Sequence, residues 1–212
     1  IYGYGGENGT CAPPHVMKIF GYGTDEKDER LDLNYWTGVV NDPDYGLAYD
    51  RTGEPLVYYP MAVDMDISGS LYVETAGARM KKYEIDKNAI NGGKLVENDI
   101  VLFRYADVLL MRAEAKFRCG QDGQADFNAV RERVKMDTRP ITLENLLDER
   151  LMELCWEGWR RQDLIRFNQY ESLFQGDSFY PKVNESDGHT CLFPIPAAEI
   201  ALNQNLKQNE GY

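Results

Sequence analysis

Basic charge is scarce in this chain, histidine is scarcer, and long apolar runs are missing. Lys and Arg number 23 against 35 Asp and Glu in 212 residues, a net charge of −12. Phosphate backbones and anionic membrane faces select Lys/Arg-rich surfaces, so no nucleic-acid partner is expected. Only His15 and His189 occur, both in loop-like contexts without a third partner, which leaves no histidine-centred triad or metal site. There is no run of eighteen apolar residues, and Ile1 opens a Gly/Tyr segment instead of a basic stretch followed by an apolar one. Neither a membrane span nor a signal peptide is expected within these residues, and any targeting signal has been removed or lies upstream. Cys11, Cys119, Cys155 and Cys191 are far apart with no CxxC spacing, which argues against a zinc or thioredoxin-like site. Two disulfides could form in an oxidising compartment, but Cys119 and Cys155 fall on predicted helical faces, where cysteine behaves as a small hydrophobe, and mostly free thiols are expected. No cofactor is implied.

What is present divides unevenly. Residues 1–98 hold 10 of the 14 tyrosines and 13 of the 19 glycines, and read as loops and short strands. Leu31, Leu33 and Tyr35 recur at period two, predicting a half-buried strand with Trp36 on its opposite face. The segment 42–55 is turn chemistry throughout and carries Tyr45 and Tyr49. Met61, Val63, Met65 and Ile67 alternate with Asp64 and Asp66, a strand pattern that puts the aspartates in solvent. A calcium loop over Asp64, Asp66, Ser68 and Ser70 is the weaker reading, because position twelve is Thr75, with Glu74 one residue early. Asn91-Gly92-Gly93 then marks a turn.

Residues 99–212 read as helical. Asp99 is the expected N-cap of a long helix with Leu102, Ala106, Leu109, Leu110, Ala113 and Phe117 on its apolar face, Asp107 and Glu114 on the other, and Gly120 as its stop. Phe127, Val130 and Val134 mark a second helix, and so short a connection requires an antiparallel hairpin resembling a tetratricopeptide unit. Thr142 caps a third. Within it, Glu149, Glu153 and Glu157 form an acidic row in one helical run over 149–167, with Arg150, Arg160 and Arg161 as the expected partners. The spacing alone supplies no cleft and no divergent pKa values, so Arg150, Glu153, Glu157, Arg160 and Arg161 are read as a buried structural ion-pair network, not a catalytic pair. Pro196 starts a short helix through Ile200. The predicted class is predominantly α with irregular loops and short strands (α+β).

Several segments in order resemble the SusD/RagB family, outer-membrane nutrient-binding lipoproteins of Bacteroidetes: CAPP at 11–14, DERL at 28–31, KKYEID at 81–86, FRYADVLLMRAEA at 103–115, FNAVRERV at 127–134, DERLMELCWEGWRRQDLIRF at 148–167 and FPIPAAEIALNQNLKQNEGY at 193–212. The resemblance covers the C-terminal portion of such proteins. The helical N-terminal half and the lipidated cysteine have no counterpart here, and Glu29 stands where the family usually has proline. It implies a non-catalytic protein on the extracellular face of the outer membrane, held by a lipid anchor absent from this chain. Such a protein binds an oligo- or polysaccharide, or less often another nutrient polymer, and delivers it to a SusC-like TonB-dependent transporter. A glycan-active hydrolase and a helical-repeat adaptor for protein or peptide are the alternatives. Sugar recognition wants flat aromatic faces flanked by amides. Tyr2, Tyr4, Asn8, Tyr22, Tyr35, Trp36, Tyr45 and Tyr49 are the ligand-binding candidates, with Asn41 nearby. In this reading 1–98 faces the ligand and 99–212 is the helical core, the two fused in one domain.

Overall fold

The computed structural model describes residues 10–63, 75–84, 86, 88, 96–170 and 188–212. The chain divides into two units, Ile1–Arg160 and Arg161–Tyr212.

The first unit is built on a helical hairpin and a third helix. Helix α3 (Tyr105–Arg118) is rich in Leu, Met, Ala and Glu, strong helix formers. It stops as predicted at Gly120, whose φ of +69° lets its own N–H reach Phe117 O while Gln121 N reaches Lys116 O. Helix α4 (Gln124–Arg133) returns against it after a short turn, burying Phe127 and Val130, with Val134 buried just beyond its end. Helix α5 (Leu143–Leu154) also packs on α3, and Thr142 Oγ1 caps it by accepting from Asn145 N at 3.0 Å. The close approach at the hairpin turn depends on Gly123, where an added Cβ would stand 2.3 Å from Ala113 O.

Ahead of these come two short helices, α1 (Pro14–Ile19) and α2 (Arg30–Asn34). Met17, Phe20, Leu31, Tyr35, Leu151, Met152 and Cys155 share one core, so α1 and α2 are seated on the C-terminal turns of α5. Six two-residue strands follow in three antiparallel ribbons. β1 (Tyr35–Trp36) pairs with β6 (Arg79–Met80), β2 (Gly38–Val39) with β5 (Val57–Tyr58), and β3 (Asn41–Asp42) with β4 (Gly46–Leu47). In the second unit, helix α7 (Ala197–Leu202) begins after Pro196, and Gln208 donates to Ile195 O and accepts from Ile195 N.

Four local expectations are corrected. Residues 30–34 are helical, not a strand, so Leu31 is buried while Leu33 is 64 % exposed, and Trp36, next to Tyr35 on the extended chain, is buried in a separate apolar cluster of its own. Helix α3 starts six residues after Asp99, with an extended Arg104 as N-cap, and Leu102 is 71 % exposed. Asp107 and Glu114 are buried because they hold Arg150 and Arg118. The run 149–167 is not one helix: α5 ends at Leu154, Trp156 and Gly158 take positive φ, and α6 (Arg160–Arg166) starts afresh. His15 lies in α1, and His189 opens a 3-10 turn at His189–Cys191. All four cysteines are free thiols. Burial pushes the Cys155 thiol up to about 11, so it is inert at neutral pH. The strand and calcium readings at Asp64, Asp66, Ser68, Ser70 and Glu74, and the turn at 91–93, lie outside the described residues.

Candidate functional site

The tyrosine-bearing segment 38–59 is ordered by a closed circuit of backbone hydrogen bonds. Val40 N donates to Leu56 O, Leu56 N to Ala48 O, and Ala48 N to Val40 O, each at 2.9 Å. Two of the ribbons, β2–β5 and β3–β4, and the bridge between Tyr49 and Pro55 radiate from this three-way junction. Turn chemistry closes its ends. Asp42 Oδ1 accepts from the N–H groups of Asp44 and Tyr45, and Asp50 Oδ1 accepts from Thr52 N, Thr52 Oγ1 and Glu54 N. Those hydrogen bonds, that of the Thr52 hydroxyl foremost, hold the Asp50 carboxyl below the usual carboxylate range.

Alternation along extended chain separates two faces. Val40, Ala48 and Leu56 point inward and pack with Trp36 and Tyr58. The six flanking side chains therefore stand on the opposite side, where Val39 is 56 % exposed, Leu47 36 % and Tyr49 60 %, with Asn41 and Pro55 exposed and Val57 half-buried.

The ligand candidates fall in different places. Tyr49 is on the outward face and Tyr45 is half-buried near the tip of the β3–β4 ribbon. Trp36 lies beneath the junction with Lys81 Nζ 4.5 Å from its ring centroid. Tyr35 is packed between Phe20 and Trp156, each ring centroid 5.5 Å away. Tyr22 packs against that same core. Tyr2, Tyr4 and Asn8 lie outside the described residues. Val39 and Leu47 share that outward face, and their signal in the sequence is the short apolar pairs Val39-Val40 and Leu47-Ala48 on either side of the turn at 42–46.

Glu149 and Glu153 of α5 and Glu157 just beyond it make a second, buried constellation, but the cations that meet these glutamates come from elsewhere in the chain. Arg30 of α2 chelates Asp28 and reaches Glu149 Oε1 at 2.7 Å and Glu153 Oε2 at 2.9 Å. Glu153 also accepts from Arg104 at 2.5 Å and from Arg133 at 2.7 and 2.8 Å, and Arg131 donates to Glu149 at 2.6 Å. Glu157 is held by Arg104 and Lys82. Of the arginines expected in this role, Arg150 pairs with Asp107, Arg160 donates to Leu147 O and Arg161 to Thr190 O. Arg161 also stacks 4.1 Å over the Phe193 ring. Burial raises the Glu153 carboxyl, but the hydrogen bond from Arg104 and the charges of Arg104, Arg30 and Arg133 outweigh it and hold the group below its usual range. These carboxylates are already engaged. Among the described residues no group of three His, Cys, Asp or Glu side chains is placed to hold a metal ion, and no helix is long and apolar enough to cross a membrane.

Fold and site together define a helical scaffold that presents a ribbon-and-loop surface. Residues 24–212 match the model of the SusD family, and the chain belongs to that family. The starch-binding protein SusD of Bacteroides thetaiotaomicron is 33 % identical over 139 residues, covering 63 % of this chain and 25 % of the relative. SusD-like protein P2 of Formosa agariphila is 28 % identical over 149 residues, covering 62 % and 30 %. Among solved structures, surface glycan-binding protein A of B. thetaiotaomicron in complex with laminarihexaose is 28 % identical with a TM-score of 0.51, over 64 % of this chain and 29 % of that one. A SusD superfamily protein of Bacteroides vulgatus is 25 % identical with a TM-score of 0.62, over 93 % and 43 %. The chain thus spans a quarter to a third of the length of these curated relatives.

Proposed function

We propose that this protein binds an oligo- or polysaccharide at the cell surface without altering it and passes it to a TonB-dependent outer-membrane transporter. Membership of the SusD family over residues 24–212 carries the reading. It is supported by a relative named as starch-binding and by a neighbour solved with laminarihexaose. The geometry is suited to it: an exposed tyrosine and amide stand on a hydrogen-bonded junction, so little ordering entropy is lost when a sugar settles. Hydrolysis would need two carboxylates ~5–10 Å apart across a cleft, whereas Glu149, Glu153 and Glu157 are taken up by arginine and lysine. In this reading residues 1–98 face the ligand, residues 99–212 are the scaffold, and a longer form of the protein is anchored by lipid on the extracellular face of the outer membrane.

The test is retardation of the full-length protein in gels cast with starch, laminarin and other polysaccharides, followed by analysis for released sugars. Retardation without product supports the reading. Product release would make the protein a hydrolase, and no retardation in any gel, together with capture of peptide or protein alone, would make it an adaptor. Co-purification of a transporter barrel with the full-length protein tests delivery.

A further inference from the structure

We propose that the outward face of the three-way junction is the ligand platform, and that its ligand is a neutral oligosaccharide and not a polyanionic one. The inference rests on the glycan-binding reading and adds a place and a charge class to it.

The platform consists of Val39, Asn41, Leu47, Tyr49, Pro55 and Val57, the six positions flanking the inward-pointing trio. None carries a charge. A pyranose ring has a face of C–H groups and an edge of hydroxyls. The Tyr49 ring and the aliphatic floor match the face, and the Asn41 amide, both donor and acceptor, matches the edge. The closed backbone circuit fixes the main chain that carries these side chains before any ligand arrives.

The segment that carries this uncharged floor is acidic. Between 39 and 57 stand Asp42, Asp44, Asp50 and Glu54 against Arg51, a net of −3. Asp42 and Asp50 are held by their own turns, which fixes their charge close to the platform's backbone. The nearby cations, Arg79 of β6 and Lys81 just after it, lie over the rings of Tyr58 and Trp36 of the junction's core. Acidic charges within a Debye length, about 8 Å at physiological salt, repel uronate or sulfated chains. The same acidic segment, on a chain of net charge −12, also disfavours a second copy as the occupant.

The experiment is calorimetric titration of the full-length protein with laminarihexaose and maltohexaose, and with hexagalacturonate at low and high salt. A neutral hexasaccharide is expected to bind, Tyr49→Ala to weaken it about tenfold, and Tyr49→Phe to retain it. The double variant Asp44→Lys, Glu54→Lys is expected to gain affinity for hexagalacturonate while leaving the neutral ligand unchanged. Because Tyr49 and Asn41 are exposed, Tyr49→Ala and Asn41→Ala are expected to keep the unaltered melting temperature. If both bind the neutral ligand as the unaltered protein does, the platform is wrong while glycan binding stands. If the unaltered protein prefers hexagalacturonate at low salt, the charge class is wrong. If it binds no oligosaccharide, both readings fail.

Discussion

Glu153 takes hydrogen bonds from Arg30, Arg104 and Arg133, and of these Arg30 is itself only 3 % exposed. Removing a buried partner strands a charge, so Glu153→Ala should cost about 3–5 kcal/mol in urea unfolding. Glu157→Ala should cost less, about 1–3 kcal/mol, because its partners Lys82 and Arg104 are 19 % and 26 % exposed at the side chain and can rehydrate. Equal losses would contradict this ranking. The pH dependence follows from the same network. Arg30 holds Asp28 below its usual range despite the opposing effect of burial, as the arginines hold Glu153. The unfolded chain therefore binds more protons as the pH falls through the ordinary carboxylate range, and the stabilisation present at neutral pH is lost below about pH 4. Asp148, raised by burial, acts in the opposite sense and offsets part of the loss. A urea midpoint that holds constant from pH 6 to pH 3 would refute the linkage. At the ribbons the aromatic residues part company. Trp36→Ala should lower stability by about 3–5 kcal/mol, whereas Tyr49→Ala should stay within about 0.5 kcal/mol.

At the scale of elements, the hairpin of α3 and α4 depends on a missing side chain. Gly123→Ala drives a Cβ into the Ala113 carbonyl, and a loss of about 1–3 kcal/mol is expected by thermal or urea unfolding. Both helices of this hairpin, the Thr142 cap and the Gly120 stop were legible in sequence because each rests on local chemistry. The break after Leu154 was not. Charge spacing over 149–167 continues the helical period straight through Trp156 and Gly158, and only their positive φ values show the chain turning. The ribbons were legible as turns but not as a junction, since two-residue strands carry too little alternation to fix their register. For the same reason residues 30–34 read as a strand: Leu31 and Leu33 fit period two, and the helix there is set by Arg30 reaching Glu149 and Glu153, an interaction more than a hundred residues distant in the chain. The candidate site was legible as a tyrosine-rich region, while the separation of Tyr49 from Trp36 depended on which side of the junction each occupies.

Across the first unit, Arg30, Lys82 and Arg104 bind α2 and the loop segments to Glu149 and Glu153 of α5 and to Glu157 just beyond its end, so the segments around the tyrosine-bearing surface are braced by the helices. This division of labour predicts that weakening the brace lowers stability without changing how the folded protein meets its ligand. Glu157→Ala, assayed well below its melting temperature, should bind a neutral oligosaccharide with unaltered affinity. The claim on which the account turns is non-catalytic glycan binding. It is tested most directly by titrating the full-length protein with a neutral hexasaccharide and analysing the same sample by mass afterwards. Saturable binding with the hexasaccharide recovered intact is the predicted result; shorter products, or no binding across neutral glycans, would contradict it.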